Sequence, residues 1–90
     1  MIRSIRIVHV TSDFKKAFQK LPHHIQELAI KKDRWFRENV FAASLRTHKL
    51  KGTLDGYWAY SVNIDYRILF RFINAREVIY YDIGTHAIYR

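Results

Sequence analysis

Tyr57-Trp58-Ala59-Tyr60-Ser61-Val62-Asn63, and after it Arg67-Ile68-Leu69-Phe70-Arg71-Phe72-Ile73, is the stretch that decides the fold. Aromatic and β-branched residues dominate both runs, as expected of pleated, half-buried strands. Ile64-Asp65 marks a reversal between them. Asn74-Ala75-Arg76 reads as a short hairpin turn, with Asn as its turn former. A third run, 77–83, follows. Three consecutive strands are therefore expected from Trp58 onward. Side chains alternate along a strand, so Trp58, Tyr60, Val62 and Ile64 share one face. Core packing is the favoured reading of that face over nucleobase stacking.

Working outward, Ile5 to Val10 is β-branched and apolar, with Arg6 and His9 interspersed, and reads as a first strand. Thr11-Ser12-Asp13 supplies N-cap chemistry, because a short oxygen side chain accepts from free backbone N–H groups. Phe14, Ala17, Phe18 and Leu21 follow at helical spacing. Pro22 interrupts this helix and opens a second, its missing N–H being harmless in a first turn. Ile25, Leu28, Ala29, Trp35 and Phe36 form the apolar stripe of that second helix. Lys31, Lys32, Asp33, Arg34, Arg37 and Glu38 are mostly its wet side. Residues 39–53 read as a connection with little regular structure. The expected architecture is α+β in the order β-α-α-β-β-β. It is a small four-stranded, largely antiparallel sheet with two helices on one face, leaving the other face free to be a working surface.

The 90 residues are expected to make a single domain, 1–90, with a modest core. A hydrophobic fraction of 49% with 16% aromatic residues supports a globular fold rather than a disordered tail. The net charge of +8 favours anionic partners such as nucleic acid, an anionic membrane or an acidic protein. No apolar run approaches the roughly 18 residues of a membrane span, and Met1-Ile2-Arg3-Ser4 does not begin a signal peptide. With no cysteine there is no disulfide framework and no thiolate metal site. A soluble cytoplasmic protein is the simplest expectation.

Candidate chemistry clusters at strand ends and in loops: His48 with Lys49 and Lys51, Asp65, Arg67, His86 and Tyr89. Acid/base side chains on a positively charged surface suit cleavage of an RNA phosphodiester. Attack by a ribose 2′-OH needs a base for its proton, a cation for the pentacovalent phosphate and an acid for the leaving 5′ oxygen. Histidine fits acid and base because its ordinary pKa of about 6.5 lies near working pH. Guanidinium fits the phosphate because it stays charged and donates two parallel bonds. Each residue also has a plainer reading. His48 is a solvated loop residue; Asp65 is a turn former; Arg67 pairs with Asp82 on a neighbouring strand. His23 and His24 are adjacent and solvated, His9 is structural, and the lysine- and arginine-rich run 31–37 is a wet helix face. The five histidines are scattered, with no HExxH and no clustered carboxylates, so neither a metal nor a cofactor is expected.

Taken together, the chain resembles the toxins of the RelE/ParE superfamily, the toxin half of bacterial type II toxin–antitoxin pairs. It resembles the YafQ-like and RelE-like branch most. The resemblance spans length, element order, Leu45-Arg46-Thr47-His48-Lys49-Leu50-Lys51-Gly52, Asp65-Tyr66-Arg67-Ile68-Leu69-Phe70, and Gly84-Thr85-His86 with Tyr89. It implies a ribosome-dependent mRNA endonuclease, cutting in the A site without metal by 2′-OH attack. It further implies His86 as general acid, His48 or Asp65 as base, Arg67 as phosphate clamp and Tyr89 as base-stacking platform. Arg46, Lys49 and Lys51 would hold RNA backbone. The implied partners are a cognate antitoxin, mRNA and the 70S ribosome, with operator DNA met only through the antitoxin complex and no membrane. The antitoxin is expected to lay an acidic, partly disordered segment over the basic surface. The sequence departs from the pattern at Trp58 and Tyr60, where RelE carries lysines, and near Ser61, where YafQ-like members carry histidine. Two other functions fit the same resemblance: a ParE-like gyrase inhibitor, and a catalytically silent antitoxin-binding module.

Overall fold

Residues 3–89 are described by the structure, a computed structural model. Met1 and Ile2, read above as a start without a leader, lie outside the described residues. The first strand, β1, spans Ile7–Val10, two residues shorter at its start than the sequence suggests. Thr11 then caps helix α1, Ser12–Gln19, by accepting from Phe14 N–H at 3.0 Å. Helix α2, His23–Glu38, begins directly after Pro22. A 3₁₀ turn at Ala43–Leu45 leads into β2, His48–Lys49, and a second at Gly52–Leu54 leads into β3, Trp58–Ser61. Strands β4, Arg67–Asn74, and β5, Glu77–Gly84, form the hairpin read from sequence, and the chain closes in a 3₁₀ turn at His86–Tyr89.

The sheet has five strands in the order β1-β5-β4-β3-β2, not four. The additional strand is β2, inside the segment expected to be irregular. It pairs His48 with Ala59 and Lys49 with Trp58, and Leu50 N–H donates to Tyr57 C=O at 2.9 Å. Two polar residues carry no alternation signal, so only the neighbouring strand reveals them. β1 runs parallel to β5, while every other pair is antiparallel. A bulge on β5 sets Leu69 opposite Asp82 and Phe70 opposite Tyr80, leaving Tyr81 as the extra residue. It lets Tyr80 and Ile83, an odd spacing, both reach the core.

Both helices cover one face. Phe36 of α2, fully buried, stacks on Tyr60 of β3 at 4.4 Å and meets Phe70 of β4 and Tyr80 of β5 edge-on at 4.9 and 5.8 Å. Phe14 of α1 meets the same Tyr80 at 5.3 Å. The packing expected of Tyr60 is realised, but Ile64 is 85% exposed in the β3–β4 turn. Trp35 also leaves the core: it is exposed, with the Lys31 and Lys32 ammonium groups over its ring at 5.2 and 4.7 Å.

Asp33, placed by sequence on the wet side of α2, instead turns partly inward. Tyr80 Oη donates to Asp33 Oδ1 at 2.7 Å, and Arg37 Nε donates to Asp33 Oδ2 at 3.0 Å. A hydroxyl has one proton, and Tyr80 spends it on the carboxylate. The 2.9 Å contact between Tyr60 Oη and Tyr80 Oη is therefore a bond donated by Tyr60. Burial pushes both phenols well above their ordinary pKa, so the chain Tyr60 to Tyr80 to Asp33 keeps this direction. Among the described residues no helix is long and apolar enough to cross a membrane.

Phe36→Ala is expected to lower unfolding free energy by about 3–5 kcal/mol, read from the urea midpoint, because it empties the contact shared by three strands. Asp33→Ala, which strands the buried Tyr80 hydroxyl, is expected to cost about 1–3 kcal/mol in the same assay.

Candidate active site on the open sheet face

Register assigns the open face. Trp58 and Tyr60 point toward the helices, so their neighbours Tyr57, Ala59 and Ser61 point away. Two rows of residues then cross this face. One runs Ser61, Arg67, Gly84 at the sheet's end. The next runs His48, Ala59, Leu69, Asp82. His48 thus stands at one edge, on β2, and Arg67 on the central strand β4. Lys49, opposite Trp58, takes the other side of β2 from His48.

His48 is exposed, and its Nδ1 lies 2.9 Å from the Arg46 carbonyl oxygen. A carbonyl only accepts, so the proton sits on Nδ1 and the neutral ring leaves Nε2 free to take one. Arg46 itself holds a left-handed backbone, φ 50°. It joins Lys32, Ser44, Ser61, Asn63 and Arg67 around a polar cleft of about 240 Å³ at the sheet's end. Among the described residues, three cations share that cleft and no carboxylate lines it. Lys51 is exposed farther along the connection.

The far side of the row is built by Gly84. A Cβ there would come within 2.8 Å of Ile88 Cγ2. Gly84 pairs with Arg67, so its missing side chain would point to the open face. The turn His86–Tyr89 is therefore folded back over that face beside Arg67. His86 is exposed and meets the Tyr89 ring at 5.8 Å and 75°. Tyr89 turns its hydroxyl inward. Burial raises its pKa, and the Arg67 charge is near enough to oppose that rise. Arg67 Nη1 and Tyr89 Oη are both buried without a hydrogen-bond partner among the described residues.

Asp65 lies two residues before Arg67 and is not among the residues lining the cleft. It is exposed in the β3–β4 turn, and the turn is formed by Asn63, whose Oδ1 accepts from the Asp65 and Tyr66 N–H groups at 2.9 and 2.7 Å. Asp82 Oδ1 accepts from Ile83 N–H, and no ion pair joins it to Arg67 among the described residues. His9 pairs with Glu77 at 3.0 Å, and His23 with Glu27 at 2.8 Å. Among the described residues no group of three or more His, Asp or Glu side chains is arranged to hold a metal. Sequence reading missed Ser44, which comes to the cleft from the irregular connection, and took Lys32 of α2 as part of a wet helix face. It also gave no role to Gly84; a glycine ending a β run just before a short terminal segment was the available signal.

The fold, two helices on one face of a small mixed sheet, is similar to that of solved toxins. The YoeB/ParE toxin from Agrobacterium tumefaciens superposes with a TM-score of 0.74 at 18% identity, covering 90% of this chain and 99% of its own. The RelBE2 toxin–antitoxin complex from Mycobacterium tuberculosis gives 0.76 at 18%, covering 97% and 95%. The DinJ–YafQ toxin–antitoxin complex from E. coli gives 0.69 at 18%, covering 97% of each chain. No protein-family model matches the chain, and no curated protein is significantly similar to it in sequence.

If the contact between Gly84 and Ile88 positions the C-terminal turn, Gly84→Ala displaces His86 and Tyr89 while leaving the core intact. Should His86 or Tyr89 act in catalysis, the expected result is an activity loss on the order of 10²-fold, with little change in Tm. Ile88→Ala in the same chain is expected to restore activity.

Proposed function

We propose that this protein is the toxin of a type II toxin–antitoxin pair and acts as a ribosome-dependent mRNA endonuclease. One observation carries the reading. Arg67 lies between His48 and the turn bearing His86, at one end of the open face, and the Arg46 carbonyl holds His48 in the tautomer whose Nε2 accepts. Three strand intervals of about 4.8 Å and two residues of about 3.3 Å along β5 separate His48 from Gly84, about 16 Å in all. The C-terminal turn, folded back over the face, narrows that span.

In this reading His48 Nε2 takes the 2′ proton as the 2′ oxygen bonds to phosphorus. His86, protonated, returns a proton to the 5′ oxygen as the P–O5′ bond breaks. The products are a 2′,3′-cyclic phosphate and a 5′-hydroxyl. Arg67 offsets the charge gathered on the phosphoryl oxygens. Asp65, exposed in the β3–β4 turn, is the less favoured base. Arg46 and Lys32 lead the backbone into the cleft, and Lys51 adds charge without sequence choice. Tyr89 stacks on a base once its turn opens outward. Two of the structural relatives are described as toxin–antitoxin complexes, which supports a cognate antitoxin here as well. A chain of net charge +8 suits an acidic antitoxin segment.

Primer extension on a defined mRNA in a reconstituted translation reaction tests the reading. New 3′ ends at codon positions are expected only with ribosomes. His86→Ala and His48→Ala are each expected to slow their appearance by about 10²–10⁴-fold, the usual worth of a general acid or base. Intact mRNA with the wild type, together with stabilised gyrase–DNA breaks, would move the assignment to gyrase. Intact mRNA without growth arrest would leave an antitoxin-binding module.

A further inference from the structure

Beyond the two rows that carry His48 and Arg67, a third crosses the open face. The β3–β4 register, continued one residue past Trp58 and Phe70, sets Tyr57 opposite Arg71. Arg71 in turn pairs with Ile79. The Arg71 guanidinium lies 5.2 Å from the centre of the Tyr57 ring. On the other side, Tyr57 meets the ring of Tyr81 at 5.2 Å and 74°. Tyr81 reaches this face because it is the extra residue of the β5 bulge. Three groups from three strands thus gather into one patch.

The patch has the chemistry of a ligand surface. Arg71 is exposed and joins no carboxylate among the described residues. Neither tyrosine hydroxyl takes part in a hydrogen bond there, unlike the pair Tyr60 and Tyr80 on the covered face. Both rings keep part of their surface exposed. Planar aromatic and guanidinium groups together are what an unpaired nucleobase stacks on, and the cation draws in its phosphate. The patch also lies on the strand that holds Arg67. Arg67 and Arg71 are four residues apart on one face of β4, about 13 Å at about 3.3 Å per residue.

We infer that Tyr57, Arg71 and Tyr81 form a stacking platform for a base of single-stranded RNA, a few nucleotides from the phosphate held at Arg67. The assignment rests on the proposed function for its choice of RNA, and it adds a contact to bases where Arg46 and the lysines supply contacts to backbone. The two rings stand nearly perpendicular, so one offers the base its face and the other its edge. Arg71 stacks alongside and neutralises charge. Such a platform tolerates any base and favours none by hydrogen bonding.

The test compares two fluorescein-labelled oligomers of equal length and charge, decauridylate and its abasic ribose-phosphate counterpart, by anisotropy at low salt. Wild type is expected to bind decauridylate about five- to 100-fold more tightly than the abasic strand, the worth of one stacked base. Tyr57→Ala and Arg71→Lys should each remove most of that preference while leaving abasic affinity within about twofold. Arg71→Lys keeps the charge and sits on the exposed surface, so it is not open to an explanation by misfolding. Equal affinity of the wild type for both oligomers, or a preference that survives both variants, would overturn the platform. Cleavage is scored separately in the translation reaction. A base preference lost in the variants without any mRNA cleavage would retain the platform and discard the nuclease.

Discussion

Phe36 lies flat on Tyr60 and carries Phe70 and Tyr80 at its edges, so a single ring from α2 clamps β3, β4 and β5. Aromatic contacts of this kind add about 0.5–1.5 kcal/mol each beyond the area they bury. Beside them runs the directed chain from Tyr60 through Tyr80 to Asp33 and Arg37. Arg37 extends the same tie to the chain's start, since its carbonyl accepts from Ile5 N–H at 2.8 Å. The apolar clamp supplies cohesion. The polar chain supplies registration, because a slip of α2 along the sheet would leave a buried phenol without its acceptor.

That rigidity is what the open face inherits. Its strand-borne groups are spaced by strand geometry, so the backbone of Arg67 cannot approach or leave that of His48 without bending the sheet. The polar groups are graded along β4. The end at Arg67 is cationic and lined by hydrogen-bonding side chains, whereas the part near Arg71 is aromatic. Ala59 and Leu69 lie between, buried although no helix covers them. A polyanion laid along this face would meet charge first and apolar surface next.

Much of this was legible in the sequence. Alternation from Trp58 onward gives three of the strands, and Thr11, Pro22 and the stripe from Ile25 to Phe36 give both helices. Reading β2 required its partner, because pairing defines it and no pattern of its own does. The β5 bulge was equally hidden. Alternation alone would send Tyr80 and Ile83 to opposite faces, and the register shift that reunites them is a property of two strands together. Asp33 looked solvated because charge is read residue by residue, whereas its burial depends on Tyr80, 47 positions away. At the site, residue types pointed to His48, Arg67, His86 and Tyr89. Their arrangement needed Gly84, whose missing side chain lets the last turn return. Tyr57 and Arg71 share the parity of Ala59 and Arg67, a signal available in the sequence, but only the observed register turns that parity into proximity.

The edge strand has a consequence for how the site persists in time. β2 is held by two register pairs at the margin of the sheet, while Arg67 sits on a central strand bonded on both sides. Local opening at margins requires far less free energy than global unfolding. Backbone amides around His48 therefore exchange with solvent through sub-global fraying, and those around Arg67 only when the whole sheet opens. The edge position of His48 thus has a shorter lifetime than the central position of Arg67.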